Sequence, residues 1–225
     1  RDEHKLFMFD NDEFVKAKGL FFLEKIFDVL NFRYVPRDEV YYQVYSKYMS
    51  MSWKIGGADD PSNILNHYNK SQVFNYRFDW DEEPTFAWID YAKYLGAAHG
   101  LEIPFIFDTI NRDNLLSNII YDDININSDQ ILANQMGKYW TNFAYSGNPN
   151  LGPYNDLVEW QDWSIDSQRY IIFDSNNDQG IAMRINTDSG TTLMQGLASE
   201  PIKVSQKCYI VDKIFINTTL PKKQV

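Results

Sequence analysis

Apolar and polar positions alternate in patterns that divide the chain into elements. Leu23, Ile26, Phe27 and Leu30 recur at i, i+3, i+4 and i+7, which predicts a helix over 12–31 with Asp10, Asn11 and Asp12 as capping residues. A second helix is expected after Pro36, capped by Asp38, with Val40, Val44, Tyr48 and Met51 on one stripe and an end at Gly56-Gly57. Asp60-Pro61 then opens a short helix that breaks at Asn69. From Ser71 to Trp80 the period changes to two. Phe74, Tyr76, Phe78 and Trp80 face one way and Asn75, Arg77 and Asp79 the other, as a half-buried strand requires. A short amphipathic helix over 86–95, loops and short helical pieces over 108–127, and a long helix over 128–145 follow. The long helix carries Ile131, Leu132, Met136, Tyr139, Trp140 and Phe143 at helical period and stops at Gly147 and Pro149; core packing is the preferred reading of that stripe. Tyr170–Phe173 and Ile181–Ile185 flank a polar turn and predict a hairpin. The stretch 206–217 fits either strand or helix by pattern, and the tail from Pro221 is expected to fray.

Composition narrows the class. The 225 residues are 44% hydrophobic and 16% aromatic, which supports one packed domain. A formal charge of −10 argues against nucleic acid and anionic membrane as partners. No apolar run reaches the roughly 18 residues of a membrane span, and no signal peptide is visible. A single cysteine, Cys208, allows neither an internal disulfide nor a Cys-His metal cluster, and reads as a buried small hydrophobe. There is no Walker loop and no G-x-G-x-x-G, so no cofactor is expected. The acids Asp79, Asp81, Glu82 and Glu83 lack the spacing and glycine of a calcium loop and read as a solvated strand end. The sequons at Asn69 and Asn217 are expected chance occurrences in an Asn-rich chain.

The candidate chemistry centres on His99, which Gly96 and Gly100 bracket in a turn anchored by Ile103, Phe105, Ile106 and Phe107. His99-Gly100-Leu101-Glu102-Ile103-Pro104-Phe105-Ile106-Phe107 resembles the catalytic-histidine segment of the type-B carboxylesterases, the family that includes the cholinesterases. Arg1-Asp2-Glu3 is similar to the segment that carries that family's triad acid. Phe74–Phe78 resembles the strand before the histidine loop, and Trp140-Thr141-Asn142-Phe143-Ala144 with Gly147-Asn148-Pro149-Asn150 resembles the family's helix end. Lys207–Asp212 is like its final helix, which favours helix for that stretch. The resemblance implies an α/β fold over 1–225: the C-terminal part of one α/β-hydrolase domain, with the last core strand, the histidine loop and packing helices. It implies a Ser-Glu-His triad acting on a small-molecule ester, in which Glu3 is the acid and His99 the base, and no cofactor. The order, acid before base, is that of α/β-hydrolases. No G-x-S-x-G elbow occurs in the sequence, so the nucleophile and the rest of the sheet are expected upstream. The chain by itself is then expected to be inactive and unstable. Glu102, three residues past His99, is a rival acid and is read as structural; His4 and His67 are read as surface residues. Two other classes stay open: a catalytically inactive adhesion relative, and an acidic α/β binding domain.

Overall fold

The computed structural model describes residues 23–27, 32–36, 38–69, 72–86, 89–110 and 117–217. Their contacts divide them into two compact units, one over 56–187 and one built from the segments before Gly56 and after Thr187.

The second of these contains an antiparallel pair, β1 (Leu23–Phe27) and β2 (Phe32–Pro36), with Leu23 opposite Pro36 and Phe27 opposite Phe32. The helix expected over 12–31 is therefore corrected: its described part is a strand. Over five residues, spacing of 3.6 and spacing of two are nearly indistinguishable, and the pairing with Phe32, Tyr34 and Val35, all strand formers, selects the extended form. Helix α1 (Glu39–Lys54) starts as expected, with Asp38 Oδ1 accepting from the Tyr41 amide at 3.0 Å. It buries Val44 and Tyr48, but the stripe is rotated: Tyr41, Tyr42, Tyr45 and Met49 are also buried while Val40 is 53% exposed. The Gly-Gly pair does not stop the helical course. Ile55–Asp59 forms a π-helical turn that runs straight into α2 (Asp60–Asn69).

After Thr187 come two further helices, α7 (Gly190–Ser199) and α8 (Val204–Asn217). The first went unrecognised in the sequence, because its opening Gly-Thr-Thr has poor helix propensity. A reciprocal cap offsets that: Ser189 Oγ accepts from the Thr192 amide at 3.1 Å and Thr192 Oγ1 accepts from the Ser189 amide at 2.9 Å. Leu193 and Leu197 of α7, and Ile210 and Ile214 of α8, are buried along with the α1 tyrosines. Glu200 fastens α1 by accepting from Lys47 Nζ at 2.8 Å and Tyr48 Oη at 2.9 Å. Cys208 is exposed, not buried as expected.

The 56–187 unit is organised on a three-stranded sheet in the order β3 (Asn75–Phe78), β6 (Arg169–Phe173), β7 (Ala182–Ile185). The expected hairpin β6/β7 is present, and β6 pairs in parallel with β3 on its other side. Flanked on both edges, β6 buries Tyr170 through Phe173, the continuous apolar run that a central strand carries. Between β3 and β6 lie β4 (Thr85–Phe86), β5 (Ile89–Asp90), the single turns α3 (Tyr91–Tyr94), α4 (Ile103–Ile106) and α5 (Ser117–Ile120), and the long helix α6 (Ile126–Ser146). The helix expected over 86–95 is thus mostly a two-residue hairpin arm followed by one helical turn. Helix α6 turns Leu132, Met136 and Tyr139 onto the sheet, into a core with Phe78, Trp80, Phe105, Trp160, Ile171 and Phe173. Its far end is closed by Asn142, whose Nδ2 donates to the Pro149 and Tyr154 carbonyls while its Oδ1 accepts from the Tyr154 amide. No helix among the described residues is long and apolar enough to cross a membrane.

Candidate active site

The ladder of β3 continues one residue beyond the strand, as the Asp79 amide donates to the Phe173 carbonyl at 2.9 Å. The chain leaves this carboxyl end of the sheet, passes β4, β5 and α3, and arrives at the His99 turn. Open α/β sheets place their functional loops at that end. His99 occupies the second position of the turn Ala98–Leu101, closed by the Leu101 amide on the Ala98 carbonyl at 3.2 Å. Gly100 follows at φ 87°, the left-handed value that the third position of a type II turn demands. Gly96, at φ 53°, sets the entry to the turn. Ala97 and Ala98 are each 1% exposed and Phe105 is fully buried, whereas His99 is exposed. The local sequence therefore builds what it suggested: a hydrogen-bonded turn, anchored by buried Ala97, Ala98 and Phe105, that carries the imidazole out of the core. The Ile103 amide, donating to the Gly100 carbonyl at 3.3 Å, links the turn directly to α4.

Glu3 lies outside the described residues, so its position relative to His99 is a matter for the proposal below. Glu102 stands at the N-cap of α4 without a side-chain capping bond. His67 is exposed on α2, its ring edge-on to Tyr68 at 4.8 Å, and His4 lies outside the described residues.

The acidic stretch after β3 differs from the solvated strand end expected for it. Asp79 is 1% exposed and is held bidentately by Arg77, at 2.7 Å from Nε and 2.6 Å from Nη2. Glu83 is also buried, as is Asp174 directly after β6. Asp174 accepts from the Ser175 amide at 2.8 Å and from Gln179 Nε2 at 3.1 Å. Burial, and then the charge of Asp174, push the Glu82 carboxyl up to about 7. Burial likewise pushes Asp174 up to about 6, with Asp178, Asp79 and Asp81 adding repulsion. A third acid, Asp129 on α6, is fully buried and accepts from Trp80 Nε1 at 2.8 Å. Its carboxyl is raised to about 6, mainly by desolvation. Spacing could not reveal these burials, because the parallel β3/β6 pairing is what brings residues 79–83 and 174 together. Among the described residues no group of three or more His, Cys, Asp or Glu is arranged to hold a metal ion.

A groove of about 670 Å³ runs beside α4, between Ile106, Phe107 and Asp108 on one wall and Ala133, Gly137 and Trp140 of α6 on the other. His99 is not part of its lining. The α6 stripe thus serves two surfaces, with Leu132, Met136 and Tyr139 in the core and Trp140 on the groove.

Several known proteins share this sequence pattern. The chain is 28% identical to the acetylcholinesterase of Electrophorus electricus over 70% of its own length and 23% of that protein's. It is 36% identical to carboxylesterase 4A of Bos taurus over 40% of its length and 14% of that protein's. Among solved structures, a thermophilic PNB esterase matches 58% of this chain and 23% of its own, at 27% identity and a TM-score of 0.43. The chain spans less than a quarter of the length of these curated relatives. The family model described as "Carboxylesterase family" matches residues 9–191, which include the His99 turn and begin after Glu3. With its mixed sheet, its helices and a match over most of its length, this chain belongs to the carboxylesterase family and has the α/β architecture of part of an α/β-hydrolase.

Proposed function

We propose that the protein carrying this chain hydrolyses carboxylic esters through an acyl-serine intermediate, with His99 as general base and acid and Glu3 as the carboxylate that orients it. Residues 1–225 are then the C-terminal part of one esterase domain, and the serine comes from sequence outside them. The observation that carries this reading is the family match across an exposed histidine on a glycine-bracketed turn. In the first half-reaction His99 takes the serine proton as the oxygen attacks the ester carbonyl. The tetrahedral intermediate then collapses, and His99 returns the proton to the departing alcohol. Water repeats the sequence on the acyl-serine, releasing the acid and regenerating the hydroxyl. Glu3 stabilises the imidazolium and selects its tautomer; it does not itself take the proton.

The test is His99→Ala in the protein that contains the nucleophile, assayed with a p-nitrophenyl acyl ester. Loss of kcat by a factor on the order of 10⁴ or more is expected. A variant with near-normal kcat would remove His99 from the mechanism. No turnover and no acyl burst in the unaltered protein would turn the assignment to a non-catalytic, binding relative.

A further inference from the structure

Asp129 is an ionisable group in a place where a carboxylate is hard to accommodate. It is fully buried, and its Oδ2 has no hydrogen-bond partner among the described residues. Its Oδ1 accepts from the indole of Trp80, which is itself fully buried two residues beyond β3. The Trp80 ring lies 5.1 Å from the ring of Phe105 and 5.7 Å from that of Tyr121, and Phe105 packs against Phe78 at 5.2 Å. Phe105 is fully buried in α4, the turn of helix that grips the Gly100 carbonyl through the Ile103 amide. A continuous line of contact therefore runs from the first turns of α6, through Trp80 and Phe105, to the peptide next to His99. The indole N–H is the one polar group on that ring, so its acceptor decides the in-plane orientation of a side chain packed against the rings of Phe78, Phe105 and Tyr121.

We propose, resting on the reading of His99 as the base, that Asp129 is a positioning residue: it fixes the Trp80 indole, the indole fixes Phe105, and Phe105 fixes the turn that presents His99. Asparagine at this position retains an acceptor for the indole, while leucine leaves the N–H buried without one. The role therefore requires the acceptor and not the charge.

The experiment has two readouts. Hydrogen exchange of the segment 96–107 reports the turn directly and needs no catalysis. The kcat and KM for p-nitrophenyl acetate, measured in the protein that contains the nucleophile, report its effect on the reaction. Asp129→Leu is expected to speed exchange of 96–107 by about tenfold, while protection of β6 is maintained, as opening stays local. The same variant is expected to lower kcat on the order of ten- to a hundredfold at nearly constant KM, because misplacing a catalytic group affects the transition state. Asp129→Asn should restore both readouts to within about threefold of the parent. Trp80→Phe removes the donor and should reproduce the Asp129→Leu pattern; it carries the test if Asp129→Leu does not fold. The inference is overturned by exchange of 96–107 at the parent rate in the leucine or phenylalanine variant, or by an asparagine variant as impaired as the leucine one. An active His99→Ala enzyme would defeat the base assignment alone, since the exchange readout does not depend on it.

Discussion

Asp174→Asn is expected to make the protein more stable at neutral pH and to leave it nearly unchanged in acid. The Asp174 side chain is 0% exposed, and its carboxyl midpoint is moved from 3.8 to about 6 by burial and by Asp178, Asp79 and Asp81. Because the folded midpoint lies above the unfolded one, the folded chain holds this proton more tightly. The stabilisation that results is complete below about pH 4 and is lost progressively as pH rises through about 6. At about 1.4 kcal/mol per pH unit, the interval corresponds to about 3 kcal/mol. Asparagine carries no charge at any pH and can still accept from the Ser175 amide, the 2.8 Å bond that aspartate makes. The advantage of the variant should therefore grow by about 3 kcal/mol between about pH 4 and pH 7.5 and level off above that. Removing the Asp174 charge also relieves Glu82, whose carboxyl should fall from about 7 toward its ordinary range. Urea unfolding followed by tryptophan emission measures the difference; comparing parent with variant at each pH cancels the shared carboxylates that Asp174 does not perturb, and the relief of Glu82 adds to the gap in the same direction. A gap between the two proteins that is the same at both pH values would refute the argument, because the cost would then come from shape or hydrogen bonding and not from charge.

Two further substitutions test the packing. A Cβ on Gly152 would stand 2.3 Å from Asn142 Oδ1 and 2.9 Å from the Asn142 Cα, so Gly152→Ala should destabilise by about 1–3 kcal/mol and lower the Tm measured by calorimetry. A Cβ on Gly196 would meet only the hydroxyl end of Tyr48, at 2.7 Å. Gly196→Ala should therefore displace that ring, break its bond to Glu200 and cost roughly 1 kcal/mol, read as a shifted urea midpoint.

Near-neighbour chemistry made part of this molecule legible from its sequence. The Asp38 cap, the β6/β7 hairpin around residues 174–181, the long helix ending at Gly147 and the glycine-bracketed turn at His99 all depend on residues a few positions apart. For such features local backbone preference and solvent periodicity act in the same direction. The family resemblance was also readable, because its motifs are short and contiguous. Other features were settled only by the fold. Leu23–Phe27 satisfied a helical spacing, yet it is a strand, since the partner that accepts its backbone bonds lies at 32–36. Asp79 and Glu83 looked solvated as a charge run but are buried in the fold, in the stretch that follows β3 where it pairs in parallel with β6 across about ninety intervening residues. Asp129 is an acid in the first turn of α6, and its bond to Trp80 joins positions 49 apart. The sequence by itself shows which side chains have chemistry to offer and where locally encoded caps and turns such as those at Asp38, Gly100 and Gly147 lie. Only the tertiary structure decides which of those side chains lose their water, and that loss of solvation is what moves the Glu82, Asp129 and Asp174 protons toward neutral pH.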